Sequence, residues 1–181
     1  MEYVKPITDT EVIDMLKHEL KKQSSRNYLL FVMGINTGLR ISELLSVLVK
    51  DAYEENGEPK SFLSLSKQDV YLNGKVKQAL EWHYENERPA LEQYLFQSSR
   101  KHTAISRQQA YRVMNQAAVN ARLKEKIGPH TLRKTFGYHA YKKGIALSLI
   151  QKRFFHSTPA ETLRYIGINK EEVKPHLDVH L

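Results

Sequence analysis

The sequence is organised around the stretch Pro129-His130-Thr131-Leu132-Arg133-Lys134-Thr135-Phe136, in which a proline precedes a helix that we predict over residues 131–143. Residues three apart lie on one face of a helix, so His130 and Arg133 are predicted to point toward one target. The positive end of the helix dipole favours the neutral form of a histidine at this position. A neutral imidazole beside a fixed guanidinium suits a phosphate group, although such a pair alone also occurs in ordinary surface helices.

A second arginine follows a predicted buried helix and a glycine turn. The apolar residues of 25–37 surround that helix almost completely, which predicts a central helix that ends at Gly38. Arg40 then begins a short third helix that runs to residue 45, and a rigidly held arginine is typical of a phosphate-binding site. Glu43 is predicted to contact Arg40 or a neighbouring backbone group, and a simple surface ion pair explains the same spacing equally well.

The remaining patterns predict a mainly α-helical fold with a small β-hairpin, which is an α+β class. We predict further helices over residues 8–22, 73–87, 106–123, 146–155 and 159–166, strands over 62–65 and 69–72, and a polar loop over 51–60. Thr8 and Glu11 have the spacing of a capping box for the first helix. No stretch is typical of a linker between domains, so residues 1–181 are predicted to form one domain with a C-terminal tail from about residue 169.

Composition limits the class of partner. Of the 181 residues, 28 are Lys or Arg and 20 are Asp or Glu, and the net charge of +8 favours a polyanion, nucleic acid before an anionic membrane. The sequence has no cysteine, which excludes disulfides and thiolate sites and is typical of a reducing cytoplasm. The apolar run Tyr28–Ile35 is too short to span a bilayer, so no membrane partner is predicted.

One helix carries polar residues suited to contacts with DNA bases. Separately, two histidines of the tail have the spacing of metal ligands on a helix. Arg107, Gln108, Tyr111 and Arg112 lie in the first turns of the helix predicted over 106–123. Such residues near a helix N-terminus read the DNA major groove, and a solvated helix face is an equally good interpretation. His176 and His180 stand four apart, but we predict no metal site there.

Three motifs occur in a fixed order along the chain. They are Thr37-Gly38-Leu39-Arg40-Ile41-Ser42-Glu43-Leu44, His130-Thr131-Leu132-Arg133, and His156-Ser157-Thr158-Pro159-Ala160-Glu161-Thr162-Leu163-Arg164-Tyr165, in which the histidine and the tyrosine are nine residues apart. This ordered set resembles the catalytic domain of the tyrosine recombinases, also called the phage integrase family. The resemblance covers roughly residues 6 to 168 and implies the catalytic-domain fold of that family.

The resemblance implies a role for each of five residues. Tyr165 would attack a DNA phosphate to give a 3′-phosphotyrosyl bond and a free 5′-hydroxyl. Arg40 and Arg133 would bind the non-bridging oxygens, His130 would assist proton transfer, and His156 would donate a hydrogen bond to the phosphate. Fixed guanidinium groups stabilise the extra negative charge of such a transition state without a metal, and no cofactor or ATP is implied.

The resemblance also implies supporting residues and two departures from the family pattern. Glu43 matches the acidic residue of the site, and Lys134 stands where many members have a second histidine. The family's general-acid lysine lies in a β-hairpin turn, and the hairpin here is shorter than usual. Lys67 is the first candidate for that lysine and Lys60 the second. The N-terminal DNA-binding domain of most integrases is absent from the sequence, as in the short recombinases of fimbrial inversion switches or in a piece of a longer chain.

Together these features predict a site-specific DNA recombinase that acts on double-stranded DNA, as a homo-oligomer (a tetramer) on paired sites, in the cytoplasm at the nucleoid. The alternative is a DNA-binding or regulatory module of the same fold that has lost cleavage through its short hairpin. A topoisomerase of the related type IB mechanism fits the motifs less well.

Overall fold

The computed structural model describes residues 4–128, 130–169 and 173, which contain nine helices and one two-stranded sheet. The helices are α1 (Thr10–Gln23), α2 (Ser25–Thr37), α3 (Ile41–Leu45), α4 (Val49–Ala52), α5 (Gly74–Glu87), α6 (Arg107–Asn120), α7 (Thr131–Lys142), α8 (Leu147–Phe154) and α9 (Pro159–Ile166). The strands β1 (Phe62–Leu65) and β2 (Gln68–Tyr71) form an antiparallel hairpin in which Leu65 pairs with Gln68. The predicted class, mainly helical with a small hairpin, is confirmed.

The central element is α2, as its sequence predicts. Leu29, Leu30, Phe31 and Met33 are completely buried, and α2 packs against α1, α5 and α7. It begins at the N-cap Ser24, whose side chain accepts a hydrogen bond from the Asn27 backbone amide, and it ends at Gly38 in the left-handed conformation, with φ of 69°. A helix buried on all sides is held in a single position by its neighbours, so the residues directly after Gly38 start from a fixed point.

Two predicted helix boundaries and the start of one predicted loop are wrong. The N-cap of α1 is Asp9 and not Thr8, because the Asp9 carboxylate accepts a hydrogen bond from the Glu11 backbone amide. Helix α6 ends at Asn120, three residues early, since Arg122 adopts a left-handed conformation. The predicted loop over 51–60 begins inside α4, which starts at Val49 with Asp51 accepting from the Leu48 amide. In each case a side chain or backbone angle decides the boundary, while the periodicity of the apolar residues predicts only the element.

The last two helices have their own small core against α7. Ile150 and Phe154 of α8, Ile166 of α9 and the adjacent Ile168 are buried together, and Tyr165 packs on this cluster. Gly137 makes the close packing possible, because a Cβ there would lie 2.6 Å from Ile166 and 2.7 Å from Phe154. This small cluster therefore fixes α9, and with it Tyr165, against α7, which begins beside His130.

No helix in the described ranges is long and apolar enough to cross a membrane. The tail predicted from about residue 169, with His176 and His180, lies outside the described residues apart from Asn169 and Val173, as does Pro129.

We expect Gly38→Ala to destabilise the protein by about 3 kcal/mol, because it combines backbone strain with a steric clash. The new Cβ would lie 2.3 Å from Cδ1 of Phe136, and φ of 69° disfavours any residue with a side chain. Gly144→Ala is the matched control, since Gly144 also has positive φ, at 84°, but a Cβ there meets nothing within 4 Å. Its expected cost is about 1 kcal/mol. Urea unfolding measures both, and equal costs for the two variants would contradict the packing of Phe136 on this turn.

Candidate active site

Arg40 lies two residues after the Gly38 turn, as the N-cap of α3. Its backbone is extended, with φ of −67° and ψ of 148°, and its amide donates a hydrogen bond of 2.7 Å to Oε2 of Glu43. Glu43 therefore closes the first turn of α3 from the N3 position. This is half of a capping box, because an arginine side chain has no acceptor for the Glu43 backbone amide. The side chain of Arg40 stays 48% exposed, with Nη1 3.6 Å from Oε1 of Glu43. The sequence allowed either a contact with Arg40 or a contact with a backbone group, and Glu43 makes both.

Arg133 is held very differently from Arg40. It is 4% exposed, its Nη1 donates to the Gly38 carbonyl at 2.7 Å, and its Nη2 donates to the Phe154 carbonyl at 2.8 Å. Its guanidinium also lies over the Phe154 ring, 4.5 Å from the centroid. Burial lowers the pKa of Arg133 to about 10, so the group remains charged at neutral pH. Arg133 thus joins the end of α2, α7 and the end of α8 at one point.

One carboxylate connects the two arginines. Oε2 of Glu43 is 3.9 Å from Nη1 of Arg133, while Oε1 is 3.6 Å from Nη1 of Arg40. The two guanidinium groups, 93 positions apart in the sequence, therefore face the same small region of the molecule. Two positive groups beside one carboxylate leave a net positive charge there, which suits an anion.

Tyr165 lies against both histidines of the motifs. Its hydroxyl is 3.1 Å from Nδ1 of His130, and its ring centroid is 5.0 Å from that of His156. Burial raises the pKa of the Tyr165 phenol, while the nearby Arg133 and Arg40 lower it. A further positive charge close to the phenol, or a proton acceptor at its hydroxyl, would favour the phenolate form.

The two imidazoles both have lowered pKa values. For His130 the main cause is burial, followed by the charges of Lys134, Arg133 and Arg40. The direction agrees with the prediction of a neutral imidazole, but burial and the neighbouring charges account for it without the helix dipole. For His156 the main cause is again burial, opposed by Glu161, and its Nδ1 is hydrogen-bonded with the Thr162 hydroxyl at 3.0 Å. At neutral pH both rings are therefore neutral and able to accept a proton.

Lys134 lies under the same tyrosine. It is 6% exposed, its ammonium donates to the Val4 carbonyl at 2.9 Å, and it lies 5.1 Å from the centroid of the Tyr165 ring. Burial lowers the pKa of Lys134. A cation over the face of a phenol attracts the ring electrostatically, so Lys134 contributes to the position of Tyr165.

The two candidate hairpin lysines lie elsewhere. Lys67 is exposed in the two-residue turn between β1 and β2, and no described contact joins it to Tyr165 or to either arginine. Lys60 precedes β1, and its ammonium donates to the Lys50 carbonyl at 2.8 Å. The structure therefore brings His130, His156, Tyr165 and the two arginines together but leaves Lys60 and Lys67 outside that group.

On α6, three of the four predicted DNA-contact residues are exposed and one is not. Arg107, Gln108 and Arg112 are exposed, whereas Tyr111 is half-buried and its hydroxyl is buried without a hydrogen-bond partner. Burial raises the pKa of Tyr111 to about 12, so its hydroxyl stays protonated. The three exposed side chains are available to a ligand on this face, whereas the Tyr111 hydroxyl is not available in this conformation.

Sequence reasoning missed several residues of the site. Phe154 supplies both the ring under Arg133 and the carbonyl that accepts from it, Thr162 engages His156, and the guanidinium of Arg40 lies 5.8 Å from the Phe155 ring centroid. Thr162 lies inside the third motif, which was a usable signal. The two phenylalanines directly precede His156 in the sequence, but nothing local indicates which way their rings point.

Among the described residues, no group of three or more histidine or acidic side chains is arranged to hold a metal ion. The pair His176 and His180 lies outside those residues.

A phenol beside two neutral imidazoles and two arginines, on a mainly helical scaffold, is the arrangement that the motifs predicted for a tyrosine recombinase catalytic domain. The chain belongs to the phage integrase family, whose family model matches residues 6–172. A probable integrase/recombinase, YoeC of Bacillus subtilis (strain 168), is 39% identical over 179 residues, which are 96% of this chain and 95% of that protein. Tyrosine recombinase XerD of Oceanobacillus iheyensis is 29% identical over 178 residues, and the match covers 93% of this chain and 59% of XerD.

Solved structures share the fold. XerA recombinase superposes with a TM-score of 0.76 at 20% identity, over 95% of this chain and 62% of that one. XerH recombinase, in a pre-cleavage complex with its difH substrate, gives 0.71 at 24% identity, over 94% of this chain and 52% of that one. This chain therefore spans about half to three fifths of these longer recombinases, and nearly the whole length of YoeC.

Proposed function

We propose that this protein is a site-specific DNA recombinase that cleaves and rejoins double-stranded DNA through a 3′-phosphotyrosyl intermediate on Tyr165. The observation that carries the proposal is the 3.1 Å contact between the Tyr165 hydroxyl and Nδ1 of His130, beside Arg133 and Arg40. A proton acceptor within hydrogen-bond distance of the nucleophile, with positive charge nearby, is what a phenol needs for attack at neutral pH.

The proposed first step moves two protons, one from the phenol and one to the leaving 5′-oxygen, and exchanges one bond. The Tyr165 oxygen attacks phosphorus while His130 accepts the phenolic proton, and the bond from phosphorus to the 5′-oxygen breaks. Arg40 and Arg133 stabilise the charge that develops on the non-bridging oxygens, and His156 donates a further hydrogen bond to them. Attack by the 5′-hydroxyl of another strand reverses these events and releases Tyr165.

Supporting roles follow from position. Glu43 orients Arg40 through its contacts at the start of α3, and Lys134 holds the Tyr165 ring. Lys67 is proposed to protonate the leaving 5′-oxygen, which requires the hairpin to move toward the phosphate when DNA binds. The covalent intermediate conserves the energy of the broken bond, so the reaction is proposed to need neither metal nor ATP.

The partners proposed are double-stranded DNA and further copies of the same chain, as a tetramer on paired sites. Residues 1–181 are proposed to act as one catalytic domain. XerH is solved with its difH DNA substrate, and the net charge of +8 here suits the same class of ligand. A cytoplasmic, nucleoid-associated location follows from that substrate.

One observation favours a second candidate, a DNA-binding or regulatory module without cleavage. Lys67, the proposed general acid, has no described contact with the Tyr165 group. A pool of nicked duplexes with random sequence separates the two candidates, because cleavage next to a nick releases a short fragment and traps the covalent intermediate. A recombinase gives an adduct that survives boiling in detergent and a free 5′-hydroxyl at the break, with or without EDTA. DNA binding without any adduct would contradict cleavage and favour the second candidate.

We expect the exposed face of α6 to contribute measurable phosphate contacts. Affinity falls as salt rises, and each phosphate contact contributes about 0.9 to the steepness of log affinity against log salt. The double variant Arg107→Ala, Arg112→Ala should therefore bind DNA more weakly, with a salt dependence shallower by about 2. The control is Lys17→Ala, Lys22→Ala on α1, where both lysines pair with carboxylates of their own helix. Equal slopes for both double variants would remove α6 from the DNA interface.

A further inference from the structure

Phe155 has a backbone conformation that an aromatic residue seldom adopts. It is the C-cap of α8, with φ of 57° and ψ of 36°, a position where glycine is the usual residue. Arg88 and Arg122 are the other non-glycine residues with positive φ in the described ranges. Unlike those two, Phe155 directly precedes a residue of the active site, His156. Strained backbone of this kind persists where the surrounding structure requires it, and it concentrates at functional sites.

The Phe155 ring is also exposed. Neither the left-handed backbone nor the exposed ring favours stability. Phe155 is 45% exposed, whereas its neighbour Phe154 is buried in the small core. The exposed ring lies 5.8 Å from the guanidinium carbon of Arg40. A guanidinium within about 6 Å of an aromatic centroid is attracted to the ring face.

Arg40 has few other contacts that fix its guanidinium. Glu43 lies 3.6 Å from Nη1, and no hydrogen bond of the guanidinium is found among the described residues. Arg133 contrasts with it, because both of its Nη atoms donate to buried carbonyls. The orientation of Arg40 therefore depends on Glu43 from one element and on the Phe155 ring from another.

We propose that Phe155 is a positioning residue for Arg40, holding the guanidinium toward the place where a DNA phosphate would bind. The inference rests on the proposed function, since it assigns Arg40 to the phosphate. A long side chain with several rotamers is oriented before the ligand arrives when a flat ring supports its planar group, so less freedom is lost on binding. The left-handed backbone at residue 155 is what brings this ring to the surface beside His156.

The test measures the first-order rate of covalent capture at saturating DNA for three variants of residue 155. Phe155→Tyr keeps the aromatic face and should stay within about twofold of the wild type, while Phe155→Leu keeps bulk without the face and should be about tenfold slower. Phe155→Gly should be at least as slow as the leucine variant, yet melt at or above the wild-type temperature because the strain is relieved.

Arg122→Gly is the matched control, because Arg122 has the same φ of 57° and lies outside the site. It should relieve similar strain with no change in capture rate. We therefore expect both glycine variants to be stable and only Phe155→Gly to be slow. A merely structural role for Phe155 would not give this difference. Equal rates for Phe155→Leu and the wild type, or equal losses in the leucine and tyrosine variants, would overturn the proposal.

A second readout does not depend on cleavage. In the free protein the Nε–H resonance of Arg40 should move when Phe155 becomes Leu, because the ring current is lost, and should move little in Phe155→Tyr. An unchanged resonance in the leucine variant would overturn the inference. A wild-type protein that gives no adduct would instead contradict the proposed function, and the resonance would still decide whether Phe155 positions Arg40.

Discussion

Tyr165→Phe is expected to abolish covalent capture of DNA, lowering the rate by at least about 10⁴-fold, while DNA affinity stays within about twofold. The variant removes only the oxygen that is proposed as the nucleophile. The ring keeps its contacts with His156 and Phe154, at 5.0 and 5.3 Å between centroids, so α9 stays in place on the small core. The variant loses the hydrogen bond of the hydroxyl with His130 and its interaction with Arg133, which together cost about 1 kcal/mol of stability.

The matched control is Tyr141→Phe, which removes a hydroxyl from another half-buried tyrosine that packs on the same small core. Capture by this variant should equal that of the wild type. Detergent-resistant adducts on a nicked duplex measure capture, and a filter-binding titration measures affinity. An undiminished adduct in Tyr165→Phe would mean that another side chain is the nucleophile.

The parts of the fold that were predictable are those decided by local patterns. The apolar residues of 25–37 and the following glycine predicted α2 with both of its ends, and Ser106 predicted the start of α6. The bounds of α9 also match, because Pro159 at the first turn and Gly167 after the last are strong local signals. The N-cap of α1 was predicted wrongly as Thr8 instead of Asp9, because both residues cap helices well and the spacing to Glu11 favoured Thr8.

What the sequence did not reveal are contacts between distant segments. The motifs predicted Arg133 as a phosphate ligand, but its hydrogen bonds to Gly38 and Phe154 join residues 95 and 21 positions away. Likewise nothing local indicated that Lys134 donates to Val4, 130 positions earlier. Such contacts depend on how the helices pack, and this is why Phe154 and Phe155 entered the site only with the structure.

Arg133 and Arg40 should be equally necessary for cleavage but should contribute very unequally to the stability of the protein. Arg133→Ala is expected to lower the free energy of unfolding by about 3 kcal/mol, because it leaves the buried carbonyls of Gly38 and Phe154 without donors and opens space over the Phe154 ring. Arg40→Ala removes a half-exposed side chain whose ion pair with Glu43 is 3.6 Å long, so its cost should stay within about 0.5 kcal/mol.

Urea unfolding without DNA measures these stabilities, and single-turnover capture measures the chemistry. Each variant should lower the capture rate by about 10³-fold or more, since each removes a charge that is proposed to stabilise the transition state. The test of Arg133 is sharpest with Arg133→Lys, which keeps a charge but presents one ammonium where two carbonyls need separate donors. It should remain slow and remain less stable than Arg40→Lys. If Arg133→Lys were as stable as the wild type, the three-way junction of α2, α7 and α8 at this guanidinium would not be what holds the site together.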